Sequence, residues 1–224
     1  MPYLYLVRHA QPDFVGHYDS VTRLGHEQSA WLGEHFATRG LRFARVICGT
    51  LERQRGTLDT MLKRLPAAPE RITDARFNEY DPASVLANFH AGDDERALRT
   101  QGDRRGYFMA VREALLAWSR HAGPVPGGET WGEFGERIAA AVATACEGLE
   151  GSAPVLVVTS GGVIGRIVAE TLGAGAEAAI QLNLQTRNTG VTEVICGRSV
   201  SRVVAFNAVP HLERPDRAHA VTHS

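Results

Sequence analysis

Cysteine is scarce in this chain. Only Cys48, Cys146 and Cys196 occur in 224 residues, and no two stand at C-x-x-C spacing. That excludes a zinc ribbon and a thioredoxin-type redox motif, and an odd, sparse count suits a reducing compartment. No long hydrophobic run opens the sequence either. The apolar stretch after Met1-Pro2-Tyr3 is broken early by Arg8-His9. It reads as neither a signal peptide nor a membrane span, so a cytoplasmic location is expected. Nor is there an excess of charge of one sign. With 24 basic and 25 acidic side chains the formal net charge is -1, which gives no general field for nucleic acid or a membrane surface. Neither is expected as a partner, and any anion must be bound by a local arginine cluster.

Two further chemistries drop out. The phosphate-loop pattern G-x-x-x-x-G-K-[ST] is absent, so a nucleotide-driven kinase is not supported. His17, His26 and His35 lie nine residues apart, so no two share a helix face as i, i+4 ligands, and His9 has no partner at ligand spacing. No metal and no cofactor is expected.

What is present is ordinary for a soluble globular chain: 44% hydrophobic and 22% charged residues, enough for one sizeable domain with its own core. There is no internal repeat or low-complexity tract. Tyr3–Val7, Phe43–Cys48 and Pro154–Val158 read as buried strands, Ile72 as a short one, and 191–195 with 200–206 as a closing hairpin. Helical spacing begins near Thr22 and stops at Gly40. It returns at Leu58-Met61-Leu62-Leu65, at Phe108-Val111-Leu115-Trp118, after the capping box Thr130-x-x-Glu133, and at Ile164-Ile167-Val168-Leu172 with Gly173 as the stop. Strands alternating with helices predict an α/β fold, a three-layer α/β/α sandwich around a mostly parallel sheet. Residues 1–210 are expected to form a single domain. An irregular, lid-like insertion is expected at about 80–106, and residues 211–224 are expected to be a polar, loose tail.

Polar clusters follow three of these strands: Arg8-His9, Arg53, and Ser160-Gly161-Gly162. A fourth, Asn78-Glu79-Tyr80-Asp81, opens the insertion. In a parallel sheet the first three converge beyond the carboxyl ends of the strands. The set suits phosphoryl transfer. Two guanidiniums grip phosphate oxygens bidentately, and the helix N-terminus at Gly161 adds N–H donors. A neutral imidazole is a competent nucleophile, and a carboxylic acid protonates the leaving oxygen.

These residues resemble the histidine phosphatase superfamily, also called the phosphoglycerate-mutase-like family. Leu6-Val7-Arg8-His9-Ala10-Gln11 resembles its R-H-G signature. Tyr18-Asp19, Leu24-Gly25 and Gln28 resemble its first helix region. Leu51-x-Arg53-x-x-x-Thr57 resembles its second arginine segment, Phe77-Asn78-Glu79-Tyr80 the segment carrying its acid, and Gly127-Gly128-Glu129 a later G-G-E stretch. The resemblance implies His9 as nucleophile, Arg8 and Arg53 as phosphoryl ligands, Glu79 as proton donor and Gln11 as a polar pocket group, acting on a small phosphorylated substrate. Ala10 stands where the family has glycine. Ser160 stands where it usually has a second histidine, so a neutral donor replaces a charged one of about twice the strength.

The function expected is therefore a phosphatase working through phospho-His9. The alternatives are phosphoglycerate mutase-type transfer and a pseudophosphatase that binds phosphorylated ligands. Ser160 also reads as a helix N-cap. His211, just past the last strand, can approach the site. Arg96, Arg99, Arg104 and Arg105 form either a second anion contact or a solvated basic face. Cys196-x5-Arg202 has the spacing of cysteine-dependent phosphatases, but it falls at a hairpin turn instead of a strand-to-helix loop. The sequence does not reveal the oligomeric state.

Overall fold

β1 (Tyr3–Arg8) is apolar on both sides. Leu4 and Leu6 enter one core cluster, Tyr5 and Val7 another. Successive side chains of a strand point to opposite faces, so a strand buried this way must be covered on both. β2 (Arg45–Cys48) splits alike, with Ile47 in the first cluster and Val46 and Cys48 in the second. The computed structural model, which describes residues 1–14, 18–67, 69–90, 104–197 and 201–223, fills both faces with helices. α1 (Arg23–Thr38) and α2 (Glu52–Leu62) place Leu32, Phe36, Leu58 and Met61 against Tyr5 and Val7. On the other face lie α3 (Pro82–Phe89), α4 (Arg104–Arg120), α5 (Trp131–Cys146) and α6 (Gly161–Thr171). They contribute Leu86, Trp118, Phe134 and Ile164.

With β3 (Arg71–Thr73), β4 (Pro154–Thr159), β5 (Val191–Ile195) and β6 (Arg202–Ala208), the sheet runs β3-β2-β4-β1-β5-β6. β3, β2, β4 and β1 are mutually parallel, and β5 runs antiparallel to β1 and β6. The architecture is the mostly parallel α/β arrangement the sequence predicts. From β1 the chain crosses to β2 on one side and later reaches β5 on the other. The carboxyl ends of β1 and β4 thus mark the switch point where such sheets bind ligands.

Local chemistry sets the element ends. Thr22 caps α1, its side chain accepting from the Gly25 N–H at 3.0 Å. Thr130 and Glu133 close a reciprocal capping box on α5. No described helix is long and apolar enough to cross a membrane.

Two expectations need correction, and one helix was unforeseen. The stretch after Tyr80 is not irregular at its start: Asp81 accepts from the Ala83 N–H and Pro82 occupies the first turn, so α3 forms. Residues 91–103, Arg96 and Arg99 among them, lie outside the described residues. Arg104 opens α4 and Arg105 is exposed. A helix unforeseen in the sequence, α7 (Ala176–Gln185), follows α6 at once. Its backbone lies against Gly165, where an added Cβ would meet the Ala179 carbonyl at 2.4 Å. Finally, the segment from residue 211 is docked. Val209, Leu212 and Ala220 bury themselves against Leu24 and Trp31 of α1.

Phe134 is fully buried among Tyr80, Trp118 and Trp131. Phe134→Ala is expected to cost about 3–5 kcal/mol in chemical denaturation. A loss below about 1 kcal/mol would show that this layer does not carry the core.

Candidate active site

The register of the central strands gathers the polar clusters. Arg8 sits opposite Thr159 in the β1–β4 pair, and the His9 N–H donates to the Thr159 carbonyl at 2.8 Å. β2 ends alongside, where the Gly49 N–H reaches the Val158 carbonyl. Three strand exits therefore open at one edge. Arg8, His9, Arg53 and Glu79 line one cavity there, walled by Tyr18, Tyr80, Tyr107, Phe108, Val111 and Leu184.

His9 is 2% exposed, and its Nδ1 lies 2.9 Å from the Ala10 carbonyl oxygen. A carbonyl can only accept, so Nδ1 carries the proton and Nε2 bears the lone pair. Burial, reinforced by the charges of Arg53 and Arg8, holds the imidazole well below the ordinary histidine value. The ring is neutral at pH 7 and offers its nucleophilic nitrogen unprotonated.

The two arginines are fixed differently. Arg8 Nη1 donates to the Thr186 carbonyl. Arg53 Nη1 donates to Asp19 Oδ1 at 2.7 Å, and the Arg53 guanidinium lies over the Tyr18 ring. Asp19 also accepts from the Glu52 N–H at 2.8 Å, placing a carboxylate at the N-terminus of α2. A second clip joins the same elements: the Ala10 N–H donates to Thr57 Oγ1, which donates to the Arg53 carbonyl. Each guanidinium keeps its buried Nε without a hydrogen-bond partner. Unpaired buried donors are costly, and two of them beside a neutral imidazole form a ready receptor for an anion.

Glu79 is positioned through its backbone. Thr159 Oγ1 and Gln54 Nε2 donate to the Phe77 carbonyl, and Arg137 Nη1 donates to the Asn78 carbonyl at 2.8 Å. Burial raises the Glu79 carboxyl above its usual range, against the lowering effect of the Gly162 N–H and the two arginines. The Gly162 N–H donates to Oε2 at 2.9 Å.

Not every expected residue joins the cavity. Gln11 turns its side chain to Thr22 Oγ1 at 2.8 Å, outside the lining. Ser160 is 1% exposed, and its Oγ accepts from Gln54 Nε2 at 2.9 Å. It is the N-cap residue of α6, but its side chain makes no capping bond. Neither Ser160 nor Gly161 lines the cavity. At the N-terminus of α6, where N–H donors for phosphate are expected, the Gly162 N–H is taken by Glu79. His211 is buried away from the cavity, with Nε2 2.8 Å from Thr189 Oγ1. The Cys196–Arg202 spacing joins the antiparallel strands β5 and β6, as its turn residues suggested.

Sequence reasoning assigns no role to Asp19, Tyr18 or Gln54, and none to Asn183, whose Nδ2 donates to the Tyr80 hydroxyl at 3.2 Å. Asn183 belongs to the unforeseen α7. Tyr18-Asp19 does stand in a motif segment, but nothing in that spacing shows the bond to Arg53.

Comparison with known proteins places the chain in a family and a fold. A family model described as "Histidine phosphatase superfamily (branch 1)" matches residues 4–209. A protein of Klebsiella pneumoniae subsp. pneumoniae named "Probable phosphoglycerate mutase GpmB" is 31% identical over 198 residues, covering 85% of this chain and 83% of its own. The same-named protein of Salmonella choleraesuis is 30% identical over 199 residues, with the same coverage of both chains. Among solved structures, Bacillus stearothermophilus YhfR superposes with a TM-score of 0.70 at 19% identity, covering 95% of this chain and 100% of that one. A phosphoserine phosphatase of Entamoeba histolytica in complex with phosphoserine gives 0.69 at 16%, with equal coverage. These two structures carry the fold.

Two predictions follow from the site's packing and protonation. A Cβ at residue 162 would stand 2.3 Å from Glu79 Oε1. Gly162→Ala is therefore expected to displace the carboxylate and cut turnover about a hundredfold or more, and wild-type kinetics would contradict the placement. Burial, with the charges of His35 and Arg217 adding to it, holds His211 at about 3. Like His9 it is neutral when folded and takes a proton when unfolded below the ordinary value of 6.5. Stability is thus complete above pH 6.5 and falls toward pH 3, by about 1.4 kcal/mol per pH unit for each such histidine. His211→Gln is expected to flatten that slope in denaturation measured from pH 7 to about pH 4, and an unchanged slope would refute the assignment.

Proposed function

Since the chain belongs to the histidine phosphatase superfamily, we propose that it hydrolyses phosphate monoesters in two steps through a phosphohistidine on His9. The observation that carries this reading is the geometry of the cavity: a buried imidazole whose Nδ1 faces the Ala10 carbonyl, leaving Nε2 free of the proton, beside two buried guanidiniums with unpaired Nε donors. Arg8 and Arg53 hold the phosphoryl oxygens and offset the charge that spreads over them in transfer. His9 Nε2 attacks phosphorus as the bond to the ester oxygen breaks. Glu79, protonated more readily than an ordinary carboxyl, gives its proton to that oxygen and the alcohol departs. Water then attacks the phosphohistidine, Glu79 takes a proton from it, and inorganic phosphate leaves with His9 restored.

In this scheme Ser160 supports the site through Gln54, and the grip on phosphate rests with the arginines. Hydrolysis is favoured over mutase-type transfer by the apolar part of the cavity wall. Tyr107, Phe108, Val111 and Leu184 line it, a surface suited to an apolar or aromatic leaving group and poorly suited to a carboxylate that must be reoriented.

Incubation with an aryl phosphate tests the reading: steady hydrolysis is expected, and loss of it in His9→Ala. Glu79→Gln is expected to lose about 10²–10⁴-fold on an alkyl phosphate, and far less on a nitrophenyl ester whose leaving group needs no proton. The wild-type rate should fall on the acid side as His9 takes a proton and on the alkaline side as Glu79 loses one. Binding of phosphate esters without turnover would instead support a pseudophosphatase, and phosphate transfer within phosphoglycerate a mutase.

A further inference from the structure

The His9 ring is hydrogen-bonded to the peptide plane between Ala10 and Gln11. The Ala10 carbonyl accepts from His9 Nδ1 at 2.9 Å. On the opposite side of the same trans peptide, the Gln11 N–H donates to Gln28 Oε1 at 2.9 Å. Gln28 is fully buried, so no bulk water can replace this bond.

A glutamine amide can be turned over, exchanging its oxygen and nitrogen. Here the turn is decided by the end of the chain. Gln28 Nε2 donates to the Ala220 carbonyl at 2.7 Å and to Thr222 Oγ1 at 2.9 Å. Flipped, Oε1 would face the Ala220 carbonyl, acceptor against acceptor. The Thr222 hydroxyl spends its own proton on Asn188 Oδ1 at 2.9 Å, and the Thr222 carbonyl accepts from the Asn188 N–H at 3.0 Å. This fixes the second amide in the same way, aiming Asn188 Nδ2 at the His9 carbonyl, 3.2 Å away. Asn188 is fully buried as well.

We infer that Ala220–Thr222 is a positioning element for His9, acting through Gln28 and Asn188 on the two peptide groups that follow the β1 exit. Thr222 is the keystone, since one hydroxyl orients both amides. Its kinetic consequence rests on the phosphohistidine reading, while its structural consequence, a single Nδ1–H tautomer at His9, does not.

The test uses the full ¹⁵N-labelled chain with Thr222→Val, which removes the hydroxyl and keeps the shape, and Thr222→Ser, which restores it. Long-range ¹H–¹⁵N correlation spectra report the His9 tautomer. The wild type is expected to show Nδ1–H alone. Thr222→Val should mix in the Nε2–H form and lower kcat for an aryl phosphate about tenfold, with KM changed by less than about twofold. Thr222→Ser should recover both. If Thr222→Val unfolds, Gln28→Glu, which cannot donate to Ala220 or Thr222, is expected to shift the tautomer alike. A wild-type Nε2–H signal, or a folded Thr222→Val with an unchanged tautomer, overturns the inference even if kcat falls, because general destabilisation also lowers kcat. Absence of wild-type turnover would sink the phosphatase reading instead and leave the tautomer comparison to decide this one.

Discussion

A neutral imidazole packed beside two cations is the constraint around which the rest of this molecule is arranged. Placing His9 within reach of Arg8 and Arg53 and out of water favours the uncharged ring, and burial is the largest contributor. The same burial leaves two guanidinium donors without acceptors. Both costs are borne by the folded state with nothing bound. On the phosphatase reading proposed above, a tetrahedral phosphoryl group would satisfy the donors and give the lone pair on Nε2 an electrophile.

The fold meets that constraint with short links instead of a large rigid pocket. β1 and β4 deliver His9 and Ser160 at one level. Asp19 and Thr57 bind the start of α2 to the loop that carries His9, so Arg53 and the ring move together. The first turn of α6 gives its Gly162 N–H to Glu79, while Gln54 ties Ser160 to the segment that bears Glu79. These bonds tie the polar residues at this sheet edge to one another, while Arg8 Nε, Arg53 Nε and Gln54 Oε1 are buried without a hydrogen-bond partner.

Much of this was legible from residue patterns. β1 and β4 announce themselves because both faces are buried and both read apolar throughout. The Thr130-Glu133 box and Gly40 mark real helix ends, Gly40 with φ 66°. α7 escaped because Gly173 reads as the end of helical structure, and its burial depends on close approach to Gly165, which no periodicity shows. The docked end of the chain escaped for a related reason. Its residues look polar in sequence, while its apolar contacts, Leu212 and Ala220, are few and meet α1 across a long separation. At the site, Arg8, His9, Arg53 and Glu79, singled out for charge or nucleophilic character, line one cavity. The roles of the helpers were not legible: Asp19 and Gln28 stand in a motif segment whose spacing shows no bond, and Asn188 and Asn183 are neutral amides whose importance lies in which partner each end faces.

The most direct measurement is to trap the covalent state. Rapid acid-free quenching after mixing with a ³²P-labelled monoester, followed by peptide mapping, should find label bound through nitrogen on the peptide containing His9, stable in alkali and lost in acid. Label on another residue, or turnover at the full rate in a chain whose ninth residue cannot be phosphorylated, would contradict the account.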